Sequence, residues 1–399
     1  MLSIGTKVKF ERKNKIITGI IEKVTKKQYK IKDGENKYQV NHENIIKDNK
    51  LQAISLFSGM GGDSLGIHNC GIDVVAYSEI EPKFQKSHQL NFPTCKLIGN
   101  GNIIKTTDDE LLIYKNKIDL IFAGFPCQGF SQAGKKLSDD PRNTLFNEFL
   151  RATKLIEPDY IIGENVKGLL KRVTSNGEYY IDIIKKEFED IGYDIEYKIL
   201  KCSEYGIPQV RERLIIVGIK SSLDKEIKFP IPLETPTDLK DIITFDMEGT
   251  IKIDEKIVKD LNIPDECIIT NKDNNETEKK PHPNLKSIVT DKNYMYKNVH
   301  YPNRLSFGKR IPVGGEIIDI RKPSKTIICT YARQPRLFII QQNKNNYYLR
   351  SLVVNELKQI QGFPIDYKLN GNTNDSIVQI GNAVPPPLIE QVVKTLLQI

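Results

Sequence analysis

Apolar and polar positions alternate at the start of the chain, in KVKF, IITGIIEKV, YKIK and KYQV, with a turn signal at Asp33-Gly34. That period of two predicts a small β unit over residues 1–48, read as an SH3-like barrel. From Leu51 the pattern changes. Apolar runs (AISLF, DVVAYS, IDLIFAGF, DYIIG, RLIIVGI) are separated by helical periodicities such as EYYIDIIKKEFEDIG. Over residues 51–220 this predicts a mostly parallel sheet with helices on both faces, an α/β fold. Regularity fades over residues 221–342, where polar loops (NKDNNETEKKPHPN) and Pro/Gly turns (FGKRIPVGGE) interrupt short strands, as expected of a second, loop-rich domain. The stretches LRSLVVNELKQIQGFPIDY and IGNAVPPPLIEQVVKTLLQI are helical and apolar again, so residues 343–399 are expected to return to the first domain.

Composition narrows the class. With 399 residues, 39% of them hydrophobic, the chain can bury a large core. Its longest apolar runs are strand-sized, which predicts no membrane span, no signal peptide and a cytoplasmic protein. Six cysteines without a CxxC pair or a Cys/His cluster predict reduced thiols and no metal site. The net charge of +8 is uneven, since residues 1–50 hold 13 Lys/Arg against 6 Asp/Glu. A polyanion such as nucleic acid suits that excess, and so does a solvated Lys-rich surface.

Candidate chemistry gathers at the ends of the predicted strands. AISLFSGMGGDSLG puts Gly59, Gly61 and Gly62 between a strand and a helix, where backbone N–H groups can approach a ligand. The next strand ends in YSEIEP, where Glu79 can accept hydrogen bonds from ribose hydroxyls. The spacing is not GxGxxG, so a nucleoside cofactor without a pyrophosphate fits better than a dinucleotide. Cys127 follows IDLIFAGF; alone it is core filler or a nucleophile. Glu164 and Asn165 end DYIIGENV, and Arg211 and Arg213 head RLIIVGI, so a thiol, a carboxyl group and guanidinium groups are expected at one sheet edge.

The blocks SLFSGMGG, SEIEP, FAGFPCQGFSQAG, GENVKGL, YGIPQVRERLIIVG, LVVNELKQIQGFP and IGNAVPPPL, in this order over residues 53–388, resemble the DNA (cytosine-5) methyltransferase family of bacterial restriction–modification systems. The resemblance implies an S-adenosylmethionine-dependent, Rossmann-like catalytic domain, with a target-recognition domain at residues 221–342. It implies that Cys127 attacks C6 of a flipped-out cytosine, that Glu164 holds N3, and that Arg213, with Arg211 beside it, binds the base carbonyl. Methyl transfer to C5 from S-adenosyl-L-methionine would follow. For the cofactor it points to Phe57, Gly59, Gly61, Gly62, Glu79, Ile80, Pro126, Asn382 and Val384. Asn102 and Ile103 stand in a GNI segment where the family usually has GDI, so Asn102 accepts the adenine amino group without a charge. Arg350, Glu356 and Gln361 are expected in scaffold and phosphate roles, and residues 131–146 as a closing lid or an ordinary surface loop. Ser131, Gln132, Arg304, Lys309, Arg310 and Arg333 are candidate DNA contacts.

Double-stranded DNA is the implied partner of a monomeric enzyme, with a cognate restriction endonuclease in the same system. Two alternatives remain: a tRNA cytosine-5 methyltransferase, and a catalytically silent DNA-binding regulator. The β unit at residues 1–48 lies outside the resemblance and has three readings, namely added DNA affinity, binding of a protein partner, or bracing of the fold.

Overall fold

The computed structural model describes residues 7–13, 15–46, 50–126, 144–174, 176–235, 237–271, 285, 294–296, 299–301, 304–311 and 314–398. The chain divides into two compact units, Met1–Leu51 and Gln52–Ile399.

The first unit is an antiparallel sheet of β1 (Lys7–Arg12), β2 (Lys15–Val24), β3 (Gln28–Asp33), β4 (Asn36–Asn41) and β5 (Ile45–Ile46), in the order β4-β3-β2-β1-β5. Gly34 takes φ +57° at the first central position of the β3–β4 hairpin, as a two-residue loop of this kind requires. Alternate positions turn inward, so Phe10, Ile21, Tyr29, Ile31 and Val40 form its core.

The second unit is built on a seven-stranded sheet: β6 (Gln52–Leu56), β7 (Asp73–Tyr77), β8 (Lys96–Leu97), β9 (Leu120–Ala123), β10 (Tyr160–Asn165), β11 (Tyr193–Lys201) and β12 (Glu212–Lys220). Their order is β11-β12-β10-β9-β6-β7-β8. Strands β6 to β10 run parallel, and β12 runs antiparallel between β10 and β11. Every residue of β9 and β10 is buried, because helices cover both faces. Helices α1 (Gly62–Asn69), α2 (Pro82–Asn91), α3 (Asp108–Leu112), α4 (Thr144–Ile156) and α5 (Tyr180–Glu189) connect the strands. Phe149 of α4 and Phe188 of α5 meet edge to face, 5.0 Å between centroids.

A second sheet holds β13 (Ile251–Ile253), β14 (Ile268–Thr270), β17 (Leu305–Phe307), β18 (Gly315–Ile317), β19 (Leu337–Asn343) and β20 (Asn346–Ser351). A separate hairpin joins β15 (Tyr294–Tyr296) to β16 (Val299–Tyr301). The second sheet thus runs on to Ser351, past the expected boundary at residue 342, because β20 pairs with both β19 and β13.

The chain then returns to the first sheet. Helix Pro386–Leu397 packs on α1, and a Cβ at Gly66 would sit 2.5 Å from the Pro386 carbonyl, so only glycine admits this approach. Tyr367 also donates to the Met60 carbonyl.

Candidate active site

Four parallel strands, β6, β7, β9 and β10, end at one edge, so the residues after them share a cleft side. After β6 the backbone turns sharply. Phe57 and Gly59 both take φ +58°, and Gly61 takes +96°. Phe57 N–H donates to Ser78 Oγ at 3.2 Å, and Gly59 N–H donates to Glu79 Oε2 at 2.8 Å. Glu79 Oε1 accepts from Glu81 N–H at 2.8 Å, so both carboxylate oxygens are aimed by backbone. Burial pushes the Glu79 pKa up, and these N–H donors oppose that rise.

The three glycines differ in what they face. A Cβ at Gly59 would meet only Phe84, at 3.9 Å, so space is open there. One at Gly61 would lie 2.8 Å from Tyr367 Oη, and one at Gly62 would collide with the Val384 carbonyl. Gly61 and Gly62 therefore admit the returning C-terminal segment, which was not the expected reason for their presence. Gly101, at φ +90°, lies against the Glu79 carbonyl and brings Asn102 and Ile103 to the same edge. Ile103 is buried, Ile80 is exposed, Asn382 is exposed and Val384 is half-buried. Asn102 Oδ1 accepts from Ile104 N–H at 3.1 Å, so one of its two lone pairs is already used.

Beside this edge, Arg213 Nε meets Glu164 Oε1 at 2.7 Å. The antiparallel direction of β12 explains the meeting, since its first residues lie against the last residues of β10. Arg213 Nη1 also donates to the Glu212 carbonyl at 2.8 Å. Position 124 stands 3.8 Å from both Glu164 Oε2 and the Phe57 carbonyl, measured from an added Cβ. The turn that leads to Pro126 thus lies between the carboxylate and the glycine loop.

Arg211 behaves otherwise than expected. Its guanidinium is buried and donates through Nη1 to the carbonyls of Ile327 at 3.1 Å and Gly381 at 3.3 Å. Burial, with Arg213 nearby, pulls its pKa down to about 9. It ties three chain segments together instead of sharing the site with Arg213. Cys127, Ser131 and Gln132 lie outside the described residues, as does most of the expected lid. The end of that lid is not a loop, since α4 begins at Thr144, and Phe146 packs 5.7 Å from Phe188.

The C-5 cytosine-specific DNA methylase family matches residues 51–398. The chain belongs to this family. It is 32% identical over 360 residues to the type II methyltransferase M1.HphI of Haemophilus parahaemolyticus, covering 87% of each chain. It is 30% identical over 376 residues to M.Eco47II of Escherichia coli, covering 90% of this chain and 81% of that one. A mutant of Spodoptera frugiperda DNMT2 shares the fold, with a TM-score of 0.59 at 20% identity over 87% of this chain and 99% of the other. The protein is a DNA cytosine-5 methyltransferase with a Rossmann-like α/β fold, and its methyl donor is S-adenosyl-L-methionine.

The residues of this methylase fit that donor. The open face at Gly59, the fixed Glu79 carboxylate and the exposed Ile80 offer backbone, ribose and apolar contacts in that order. Behind the loop lies a polar network not anticipated from sequence. Ser58 Oγ donates to Asp63 Oδ1 at 3.2 Å, Ser55 donates to Oδ2, and Ser64 Oγ lies 3.0 Å from His88 Nε2. Burial raises the Asp63 pKa to about 6 and lowers that of His88 to about 3. Asn165 Nδ2 holds the Phe125 carbonyl at 3.1 Å, while its Oδ1 accepts from Val166 N–H. Gln209 Nε2 donates to Gln361 Oε1 at 2.6 Å, and Gln361 Nε2 to the Ala383 carbonyl at 2.6 Å. The Gln209–Gln361 contact spans 152 residues of sequence and carries no local signal.

Of the methylase's candidate DNA contacts, Lys309, Arg310 and Arg333 are exposed and Arg304 is half-buried beside β17. Arg350 is fully buried against Glu356, which leaves it a scaffold role and no phosphate.

Proposed function

We propose that this methyltransferase modifies one cytosine within a specific duplex sequence by a covalent route, as the modification enzyme of a restriction–modification system. The observation that carries the reading is the Glu164–Arg213 pair, placed against the turn at Gly124 and beside the Gly59–Glu79 cofactor edge. Cytosine C5 is a poor nucleophile until the ring gains electrons. The Cys127 thiolate would add to C6, forming the S–C bond while the C5–C6 π pair shifts toward C5 and the N3 side of the ring. Glu164 would hold N3 through a proton, or give that proton to it, and Arg213 would bind the base carbonyl, so the charge that develops on the ring is neutralised at N3 and offset at the carbonyl. Bound S-adenosylmethionine supplies an electrophilic methyl group. C5 would take it as the donor's S–CH3 bond breaks and that electron pair stays on the donor sulfur; loss of the C5 proton to a base would then return a pair to the ring and expel the Cys127 thiolate. Asn165 sets the position of the turn that precedes Cys127, by holding the Phe125 carbonyl.

Because C5 and C6 lie inside a stacked duplex, the target base must leave the helix. Glu79 would take the ribose of the cofactor and Asn102 its adenine amino group through the remaining lone pair. Asn382 and Val384 would complete the wall. The second sheet and its loops serve as the target-recognition domain, with Lys309, Arg310, Arg304 and Arg333 as candidate readers, and residues 1–48 form an SH3-like unit. The type II names of its relatives support pairing with a nuclease in the same system. Action on duplex DNA by a monomer in the cytoplasm completes the reading.

Trapping tests it. Duplex DNA carrying 5-fluorocytosine at the target should give a denaturation-resistant adduct with the wild type and none with Cys127→Ala. An adduct in the variant, or none in an active wild type, overturns the covalent route.

A further inference from the structure

The amino-terminal unit lies outside residues 51–398, and the outer face of its sheet carries an unusual pattern. Residues that alternate with the buried Tyr29 and Ile31 of β3, and with Val40 of β4, point outward. On that face Lys23 stands directly opposite Lys30, and Lys32 directly opposite Lys37. All four are exposed. Like charges placed opposite each other across strands repel, so two such pairs weaken the sheet unless an anion lies over them. Glu22 offers only partial relief, at 3.9 Å from Lys32.

Among the described residues, Ile20 and Gln39 are also exposed on this face. The aromatic rings of the unit turn the other way: Phe10 and Tyr29 are buried, and Tyr38 packs edge-on to Phe10 at 5.1 Å. A face of lysines without aromatic rings has no platform for stacking bases, which disfavours single strands. Lys30 and Lys32, two residues apart on one face, are separated by about 7 Å along the strand. That row suits a regular line of charge, such as the sugar–phosphate backbone of a duplex.

We propose that Lys23, Lys30, Lys32 and Lys37 form a sequence-independent clamp on the phosphate backbone of duplex DNA, separate from the reading of the target bases. The proposal goes beyond the function above, and its test does not depend on the covalent route. Binding of the full-length protein to a fluorescent 30-base-pair duplex would be followed by anisotropy between 50 and 200 mM salt. Each phosphate contact adds about 0.9 to the salt slope, so replacing all four lysines by glutamine should lower it by about 3–4. Over that fourfold salt range, the wild type should lose about 10²-fold more affinity than the variant.

Replacing Lys115 and Lys117, exposed in the loop before β9, controls for charge removed elsewhere and should leave the slope unchanged. In steady state the clamp variant should raise KM for DNA while kcat and 5-fluorocytosine trapping at saturating DNA persist. An unchanged slope would overturn the clamp. So would a loss that appears equally with the Lys115/Lys117 variant, or only with single-stranded DNA. A fall in kcat at saturation with an unchanged slope would assign the unit to bracing the fold.

Discussion

Two of this molecule's arginine–glutamate pairs, Arg350–Glu356 and Arg213–Glu164, are built differently. Arg350 and Glu356 are sealed in the interior, with side-chain exposures of 0% and 2%. Two parallel bonds of 2.8 and 2.7 Å join them, and Gln341, Ser351 and Thr244 take the remaining guanidinium hydrogens. Arg213 and Glu164 lie at the sheet edge, 14% and 11% exposed, with Nε 2.7 Å from Oε1. Among the described residues, no hydrogen bond satisfies Glu164 Oε2. A pair whose donors and acceptors are all used can only hold a structure together. One that keeps acceptors and donors in reserve, under partial cover, can still receive a substrate.

Matched substitutions sharpen the contrast. Glu356→Gln should destabilise the fold by about 3–5 kcal/mol, because it strands a buried guanidinium, with activity per folded molecule retained. Chemical denaturation beside active-site titration checks both halves. Glu164→Gln should do the reverse, lowering single-turnover methyl transfer about 10³-fold, ~4 kcal/mol, with an unchanged melting temperature. A drop in Tm comparable to that of the Glu356 variant would erase the distinction.

A third carboxylate tests burial without an ion pair. Asp63 has its pKa raised from 3.8 to about 6, mainly by desolvation, so the folded state binds its proton more tightly than the unfolded chain does. The stability this adds is complete below about pH 4 and is lost as pH rises through 6. Relative to Asp63→Asn, the wild type should therefore lose roughly 3 kcal/mol between pH 4 and 7. His88, lowered to about 3, works in the opposite direction in both proteins and cancels in the difference. Denaturant melts across that range would show it; a flat difference would mean that Asp63 stays charged. Smallest is the effect at the cofactor: Glu79→Ala should weaken S-adenosylmethionine binding about tenfold by calorimetry and leave DNA affinity nearly unchanged. Equal losses would make Glu79 structural.

Glu79 and Glu164 were legible in the sequence because each ends an apolar run, and parallel strands deliver such ends to one edge. Their neighbours were less so. Arg211 and Arg213 differ by two positions in sequence, and only the pairing of β12 with β10 tells the tie from the edge residue. Gly62 reads as a ligand-facing glycine until the Val384 carbonyl is found against it. The Gln209–Gln361 contact spans 152 residues, and the opposed lysines depend on a register that alternation alone leaves open. The expected boundary at residue 342 falls inside this sheet, since β20 pairs with the distant β13 as well as with its neighbour β19.

The contact of Tyr367 with Met60 bridges 307 positions, and Gly62 and Gly66 are fitted to carbonyls made later still. On the ribosome, the glycine loop must therefore wait for most of the polypeptide before the segment that buttresses it exists. A nascent chain released early, even with Cys127, Glu164 and Arg213 already translated, would lack the wall behind its cofactor loop.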